Sequence, residues 1–229
     1  MNDPNLEALW FYTAADYLLI NAFLWRNTEA LAPCLELVYN NNLSVIQEVE
    51  KLTPEKRFAF TGFDCNALYE VYKRRTPFSL TAFSKRKMLE QAIDDIRTIC
   101  SAAMPVSEDL LLFRNVNARF MLNAEQNDTV ALLGLTSTSN TGQLIDYGNN
   151  DYLSPAQILK ICVPRHFPAV SFVNSENEVI LPPMEYRVLS STMRDNVSII
   201  ELQAIGSLDI ESLISTSKDV FSEYFYNEQ

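Results

Sequence analysis

The feature that most narrows what this chain can become is a change in its hydrophobic period near Pro105. Upstream, apolar residues recur every three or four positions, the spacing that lines one face of a helix. Leu6, Leu9, Trp10, Tyr17, Ile20 and Leu24 make the first such stripe, with Asp3-Pro4 as a start signal. Pro33 is expected to open a second helix through Leu35 to Tyr39, and the polar run Asn40-Asn41-Asn42 to close it before another begins near Ser44. Further helices are expected over Asn66 to Tyr72 and Lys85 to Ala102, the latter turning Met88, Ala92, Ile96 and Ile99 inward.

Downstream of Pro105 the apolar segments become short and β-branched, separated by Asn, Asp, Ser and Pro clusters, which is the pattern of strands. The expected strands are Leu110 to Arg114, Val130 to Ser137, Ile158 to Val163, Ala169 to Val173, Glu178 to Leu181, Tyr186 to Leu189 and Val197 to Ala204. One last helix is expected over Leu208 to Tyr226, with Leu208, Ile210, Leu213, Ile214, Val220, Phe221 and Phe225 as its apolar contacts. Strands grouped behind helices, with no βαβ alternation, place the chain in the α+β class. The expected layout is a helical lobe over 1–104, packed on a mixed or antiparallel β-sandwich core over 105–229 that ends in a helix, the two forming one domain.

Composition removes several classes of function. Of 229 residues, 18 are basic and 29 acidic, a formal net charge of −11 that repels nucleic acid and anionic membranes over most of the surface. Neither is an expected partner. No apolar run approaches the roughly 20 residues that span a bilayer, and Met1-Asn2-Asp3-Pro4 has no basic n-region, so classical export is not expected and the cytoplasm is. Cys34, Cys65, Cys100 and Cys162 are widely spaced with one histidine, His166, in the chain, which argues against a metal site. Apolar neighbours make Cys34 and Cys162 read as buried free thiols. His166, between two strands and without an acidic or cysteine partner in its motif, is assigned no role. Only five glycines occur, and neither Gly-x-Gly-x-x-Gly nor a Walker-type Gly-Lys-Ser is present, so a bound nucleotide would need another device.

Three segments carry the candidate chemistry: Leu111-Leu112-Phe113-Arg114-Asn115, Leu135-Thr136-Ser137-Thr138-Ser139, and Ser175-Glu176-Asn177-Glu178-Val179-Ile180-Leu181-Pro182-Pro183. Singly each has a bland reading, a charge at a strand end or a polar turn. In this order they resemble the arginine, Ser-Thr-Ser, Glu-x-Glu signature of the cholera-toxin-like mono-ADP-ribosyltransferases. The resemblance spans roughly residues 110 to 205. It extends through Tyr186-Arg187-Val188-Leu189 and Ile199-Ile200-Glu201-Leu202, which look like that family's closing strands, and upstream to Tyr12-Thr13, Asp16-Tyr17 and Ile20-Asn21 to Leu24, similar to its opening helix.

The resemblance implies transfer of ADP-ribose from NAD⁺ to a protein acceptor, with no metal, on the α+β core of that family. It implies Glu178 as the carboxylate that engages the 2′-hydroxyl of the nicotinamide ribose, and Ser137 as the residue that orients it, within an NAD⁺-binding Ser137-Thr138-Ser139 element. It also implies Arg114 as the guanidinium that pairs with the phosphate and ribose region. The chemistry suits these residue types. Cleavage at the anomeric carbon leaves an oxocarbenium-like sugar that a carboxylate stabilises, and a guanidinium fork matches phosphate better than an ammonium does. Glu176, about 6.6 Å from Glu178 on the same side if the backbone is extended, is implied to engage an arginine of the acceptor. Two departures stand beside this. Asn115 occupies the position usually held by a glycine whose backbone contacts the nicotinamide carboxamide, and the aromatic that stacks on nicotinamide has two candidates, Tyr147 and Tyr152. An NAD⁺ glycohydrolase, an inverting glycosidase using both glutamates, and a protein-binding module that has lost catalysis remain the rival readings. A toxin, an effector delivered into a host cytosol and a phage enzyme all fit the family resemblance.

Overall fold

The structure, a computed structural model, describes residues 4–12, 16–52, 65–116, 121–140, 156–172 and 178–226. The chain divides into two compact units, one of Met1–Ser101 with Glu211–Gln229 and one of Ala102–Ile210. The division falls just before the expected boundary at 104/105. The C-terminal helices, expected to belong to the β-rich core, group instead with the helical unit. Their aromatic side chains explain this, since Phe221 stacks on Phe23 at 5.9 Å and Phe225 meets the same ring edge-on at 6.3 Å. Arg97 adds two hydrogen bonds to Glu211, at 2.8 and 2.7 Å.

The helical unit contains α1 (Pro4–Phe11), α2 (Tyr17–Leu24), α3 (Thr28–Lys51), α4 (Cys65–Arg75) and α5 (Ala82–Ala102), then α6 (Ile210–Val220) and α7 (Ser222–Phe225) at the far end of the chain. The first apolar stripe is therefore shared by two helices. The larger correction is α3, a single helix running through both Pro33 and Asn40-Asn41-Asn42 where two helices were expected. Its buried residues Leu31, Leu35, Val38, Asn42, Ile46 and Val49 keep a three-to-four spacing straight through the asparagines. Burial of that stripe outweighs the weak local preference of asparagine for ending a helix. Pro33 is exposed, so the hydrogen bond it cannot make falls on the solvent side. The helix begins where the Asn27 side chain accepts from the Ala30 amide at 3.1 Å. In α5, Met88, Ala92, Ile96 and Ile99 are buried as expected. The tail helix breaks at buried Phe221, and Val220 is exposed.

A buried ionic hub ties this unit together. The Arg75 guanidinium, 4% exposed, contacts Asp95 directly, lies 3.3 Å from Asp16 and 3.5 Å from Glu7, and covers the Phe11 ring at 3.9 Å. Three carboxylates thus share one buried cation, with Arg74 bonded to Glu7 from outside. Burial outweighs the attraction of Arg75 and pushes the Asp16 carboxyl up to about 7, while its Oδ1 has no partner among the described residues. Burial likewise raises Asp95.

The β-rich unit comprises β1 (Met104–Pro105), β2 (Leu110–Val116), β3 (Thr129–Leu132), β4 (Thr136–Ser139), β5 (Gln157–Val163), β6 (Pro168–Phe172), β7 (Glu178–Leu181), β8 (Met184–Arg194) and β9 (Val197–Ser207). They hydrogen-bond in the order β1-β6-β7-β4-β2-β5-β9-β8-β3. β5 and β9 are parallel and every other pair is antiparallel, so the sheet is mixed and the fold α+β. β7 and β8 are separated by four intervening strands yet joined only by Pro182-Pro183. Laid flat, the sheet would hold them about 24 Å apart at roughly 4.8 Å per strand, and three peptide units reach at most about 11 Å. The sheet must fold back on itself, as the expected sandwich requires, bringing β7 and β8 to about the 10 Å of packed layers. Leu112, Leu159, Ile161, Val179, Leu181, Met184, Tyr186 and Leu202 contribute to the core cluster so formed.

Most strand positions agree with the hydrophobic pattern, and Glu178–Leu181 agrees to the residue. One expected strand, Val130 to Ser137, is two: β3 pairs with β8 at the sheet edge, whereas β4 lies between β7 and β2, with Gly134 in the connection. β8 and β9 are longer than expected, because Asp195-Asn196, both at positive φ (51° and 66°), form a tight hairpin turn that extends their pairing. The half-buried Cys34, Cys100 and Cys162 are free, and His166 is exposed.

Asp16 gives this fold a pH dependence whose sign can be worked out. A carboxyl raised in the folded state stabilises fully below its unfolded value, here the ordinary 3.8, and that contribution is lost as pH rises to about 7. Asp16→Asn imitates the protonated form. Its Tm should equal that of the parent near pH 4 and exceed it above pH 7. A gap that widens toward acid would contradict the reading.

Candidate functional site

Ser137 is the centre of the site. It lies in β4, where Thr136 and Thr138 are buried while Ser137 and Ser139 are half-buried on the other face. Next to β4 runs β7, with Ser139 opposite Glu178 and Ser137 opposite Ile180. Glu178 therefore sits diagonally across from Ser137 on a shared face, within side-chain reach. The Ser137 hydroxyl donates a hydrogen bond to Glu178 Oε1. Glu178 is 9% exposed and is the first residue of its strand.

The other face locks this register. Thr138 Oγ1 donates to the Val179 carbonyl at 2.6 Å, a buried bond between the two strands. Val179 and Leu181 join the core cluster on that side. A Ser-Thr-Ser strand thus has two duties: its serines face the carboxylate and its threonine fastens the strand that carries it.

Arg114 comes from β2, which also borders β4. The pairing of Phe113 with Ser139 sets the faces. By alternation Phe113 and Asn115 share the face of Ser137 and Glu178, while Arg114 falls on the opposite face with Leu112 and Val116. The half-buried guanidinium still reaches the pair in the plane of the sheet, where Arg114 Nη1 donates to the Ser137 carbonyl at 3.1 Å. Main chain and side chain of one serine therefore hold the cation and the carboxylate respectively.

Of the residues singled out from the sequence, Arg114, Ser137 and Glu178 are joined by hydrogen bonds, with Thr138 and Ser139 on the same strand and Asn115, exposed, on the next. Glu176, Tyr147 and Tyr152 lie outside the described residues, as does Thr13 of the opening helix. Tyr186 is a residue here that the motif reading passed over. It is fully buried, its hydroxyl has no partner among the described residues, and burial raises its phenol well above the ordinary value against the opposing charge of Arg114. The alternation of Tyr186 with Val188 marked it as core and hid the hydroxyl. Among the described residues no group of three or more His, Cys, Asp or Glu could hold a metal ion, and no helix is long and apolar enough to cross a membrane.

No family model matches the chain, and no curated protein does. Solved structures with a similar chain path include Plx2a, an ADP-ribosyltransferase toxin from Paenibacillus larvae, at 14% identity over 75% of this chain and 96% of that one, TM-score 0.37. An ADP-ribosyltransferase from Clostridium botulinum aligns at 14% identity over 89% of this chain and 87% of that one, TM-score 0.43. The enzymatic component of the C2 toxin from the same organism aligns at 13% over 90% of this chain and 44% of that one, TM-score 0.46.

Two substitutions separate structural from spare hydroxyls. Thr138→Val removes a donor from a buried carbonyl and should lower unfolding free energy by about 1 kcal/mol. Tyr186→Phe removes a hydroxyl that has no described partner and should leave stability unchanged or raise it. Urea denaturation of both variants checks this, and a loss of more than about 1 kcal/mol in Tyr186→Phe would mean that the hydroxyl is hydrogen-bonded.

Proposed function

We propose that the chain is a mono-ADP-ribosyltransferase that cleaves NAD⁺ and transfers ADP-ribose to a protein, with arginine the favoured acceptor side chain. The observation that carries this reading is the bond from the Ser137 hydroxyl to Glu178, with Arg114 on the carbonyl of the same serine. The three motif residues are separated by up to 64 positions in sequence and stand on three adjacent strands, β2, β4 and β7.

In this reading the bond between C1′ of the nicotinamide ribose and the ring nitrogen breaks, and nicotinamide leaves with the electron pair. Positive charge develops on the sugar. Glu178, oriented by Ser137, stabilises that charge and accepts from the 2′-hydroxyl. Arg114 uses one N–H on the Ser137 carbonyl and keeps the rest of its fork for the phosphates. Asn115, on the Glu178 face, takes the place at which main-chain contact with the carboxamide is implied, and Tyr147 or Tyr152 would stack on nicotinamide. Glu176 holds the attacking guanidine of the acceptor, whose nitrogen bonds to C1′ and gives up its proton to the Glu176 carboxylate and from there to solvent.

Donor and acceptor roles can be separated by a paired assay of nicotinamide release and labelling of an arginine-containing protein. Glu178→Gln should suppress both reactions by at least about a hundredfold, the scale of losing one electrostatic stabiliser. Glu176→Gln should depress transfer to arginine steeply while hydrolysis persists, because water needs no acceptor carboxylate. Wild-type turnover in Glu178→Gln would end the assignment, and equal loss of both reactions in Glu176→Gln would end the division of labour. Nicotinamide release without protein labelling would make the chain a glycohydrolase. Intact NAD⁺ would leave only the binding-module reading.

A further inference from the structure

Residues 73–87 read Lys-Arg-Arg-Thr-Pro-Phe-Ser-Leu-Thr-Ala-Phe-Ser-Lys-Arg-Lys, six of the chain's 18 basic residues and no acidic one, in a protein of net charge −11. This stretch spans the end of α4, the connecting loop and the start of α5. The cations are not equivalent. Arg75 belongs to the buried hub, Arg74 bonds Glu7, and Arg86 bonds Glu90 at 2.9 Å. Lys73, Lys85 and Lys87 have no carboxylate partner among the described residues.

Between them the loop displays apolar surface. Phe78 is 102% exposed and Phe83 66%. The display is built in. Buried Ser84 accepts from the Thr81 amide at 2.6 Å and donates to the Ser79 carbonyl at 2.7 Å, and Tyr39 Oη donates to the Phe78 carbonyl at 3.3 Å. The Phe78 carbonyl and the backbone that follows it are fastened by these bonds, while the Phe78 ring is exposed. Lys87 holds its ammonium 4.6 Å from the centre of the Phe83 ring, so charge and apolar surface form one patch, and the positive end of α5 adds to it.

The structure assigns this loop as a docking surface for an anionic lipid bilayer, with Phe78 and Phe83 entering the headgroup boundary and Lys73, Lys85 and Lys87 facing lipid phosphates. Lysines beside exposed phenylalanines suit a fluid anionic surface. Protein interfaces favour aromatic residues, Phe included, and Arg, but are depleted of Lys; here the free cations are lysines, and the arginines of this stretch are spent on internal or neighbouring carboxylates. The net negative charge does not oppose this, because at physiological salt charges beyond about 8 Å are screened. The inference is independent of the transferase reading.

The test is co-sedimentation of the full chain with vesicles of phosphatidylcholine alone, or with about 30 mol% phosphatidylserine, at low and physiological salt. Binding should require the anionic lipid and weaken as salt rises. Each of Lys73→Gln, Lys85→Gln and Lys87→Gln should lower the association constant by about fivefold. Phe78→Ala combined with Phe83→Ala should lower it further at physiological salt, and Lys160→Gln, in the β-rich unit, should change nothing. Circular dichroism checks that each variant is folded. Equal binding to neutral and anionic vesicles, or retention of full binding after all three lysine substitutions, would overturn the assignment. So would binding to a poly-glutamate peptide but to neither vesicle, which would make the patch a site for an acidic protein.

Discussion

The short link Pro182-Pro183 is the constraint on which the β-rich unit depends. Neither proline can donate to a ladder, and β7 ends at Leu181 and β8 begins at Met184 on the two sides of them. Because β7 and β8 stand so far apart in the sheet order, the link also requires the sheet to fold back, and the side chains of both strands then meet in one core. Just before this link, Glu178 has one oxygen held by Ser137, and the strand that carries it is anchored by Ile180 and Leu181, both fully buried.

The helical unit handles carboxylates differently. At Glu178 a carboxylate accepts from the hydroxyl of Ser137 on the neighbouring strand. Around Arg75, three carboxylates from different parts of the chain converge on a single guanidinium that water hardly reaches. Such an arrangement is a poor source of stability, since desolvation offsets much of the attraction. Its contribution is positional: Glu7 on α1, Asp16 before α2 and Asp95 on α5 can satisfy Arg75 of α4 together only in one arrangement of those helices. Burial is what drives Asp16 toward the proton, and the neighbouring Asp95 carboxylate adds to it.

What was legible in the sequence follows from which forces act locally. The strand Glu178–Leu181 was readable because an apolar run ends at two prolines, and the inward face of α5 because its period is regular. The continuity of α3 was not, since Asn40-Asn41-Asn42 has the local signature of a stop and only burial of Leu35, Val38 and Ile46 on either side overrides it. The split of Val130 to Ser137 was hidden for a similar reason. A run of apolar and β-branched residues interrupted by Gly134 alone does not reveal that its two ends pair with β8 and β7, far apart in the sheet. The allegiance of the tail rests on Phe23 meeting Phe221 and Phe225, a contact across nearly the whole chain. The motif residues were found by their order, which says nothing about sheet faces. That Arg114 alternates away from Glu178 depends on the register of Phe113 with Ser139.

This register explains why the position calls for arginine. From the far face a side chain must travel around the edge of its own strand and arrive in the plane of the sheet, where the Ser137 carbonyl is the group presented. A lysine could satisfy that carbonyl, but its single nitrogen would be committed there. A guanidinium spreads five N–H groups over a rigid plane, so Nη1 can be fixed while the remaining donors project beyond the strand. On the proposed transferase reading, fixing one end also removes rotamer freedom before a phosphate arrives, which lowers the ordering cost of binding. Asn115 follows from the same alternation. If Arg114 lies on the core side, its neighbour must stand on the face of Glu178, where a glycine would leave open space and asparagine places an amide able both to donate and to accept. Asn115, the position that departs from the resemblance, thus shares the Glu178 face with Phe113 of the same strand.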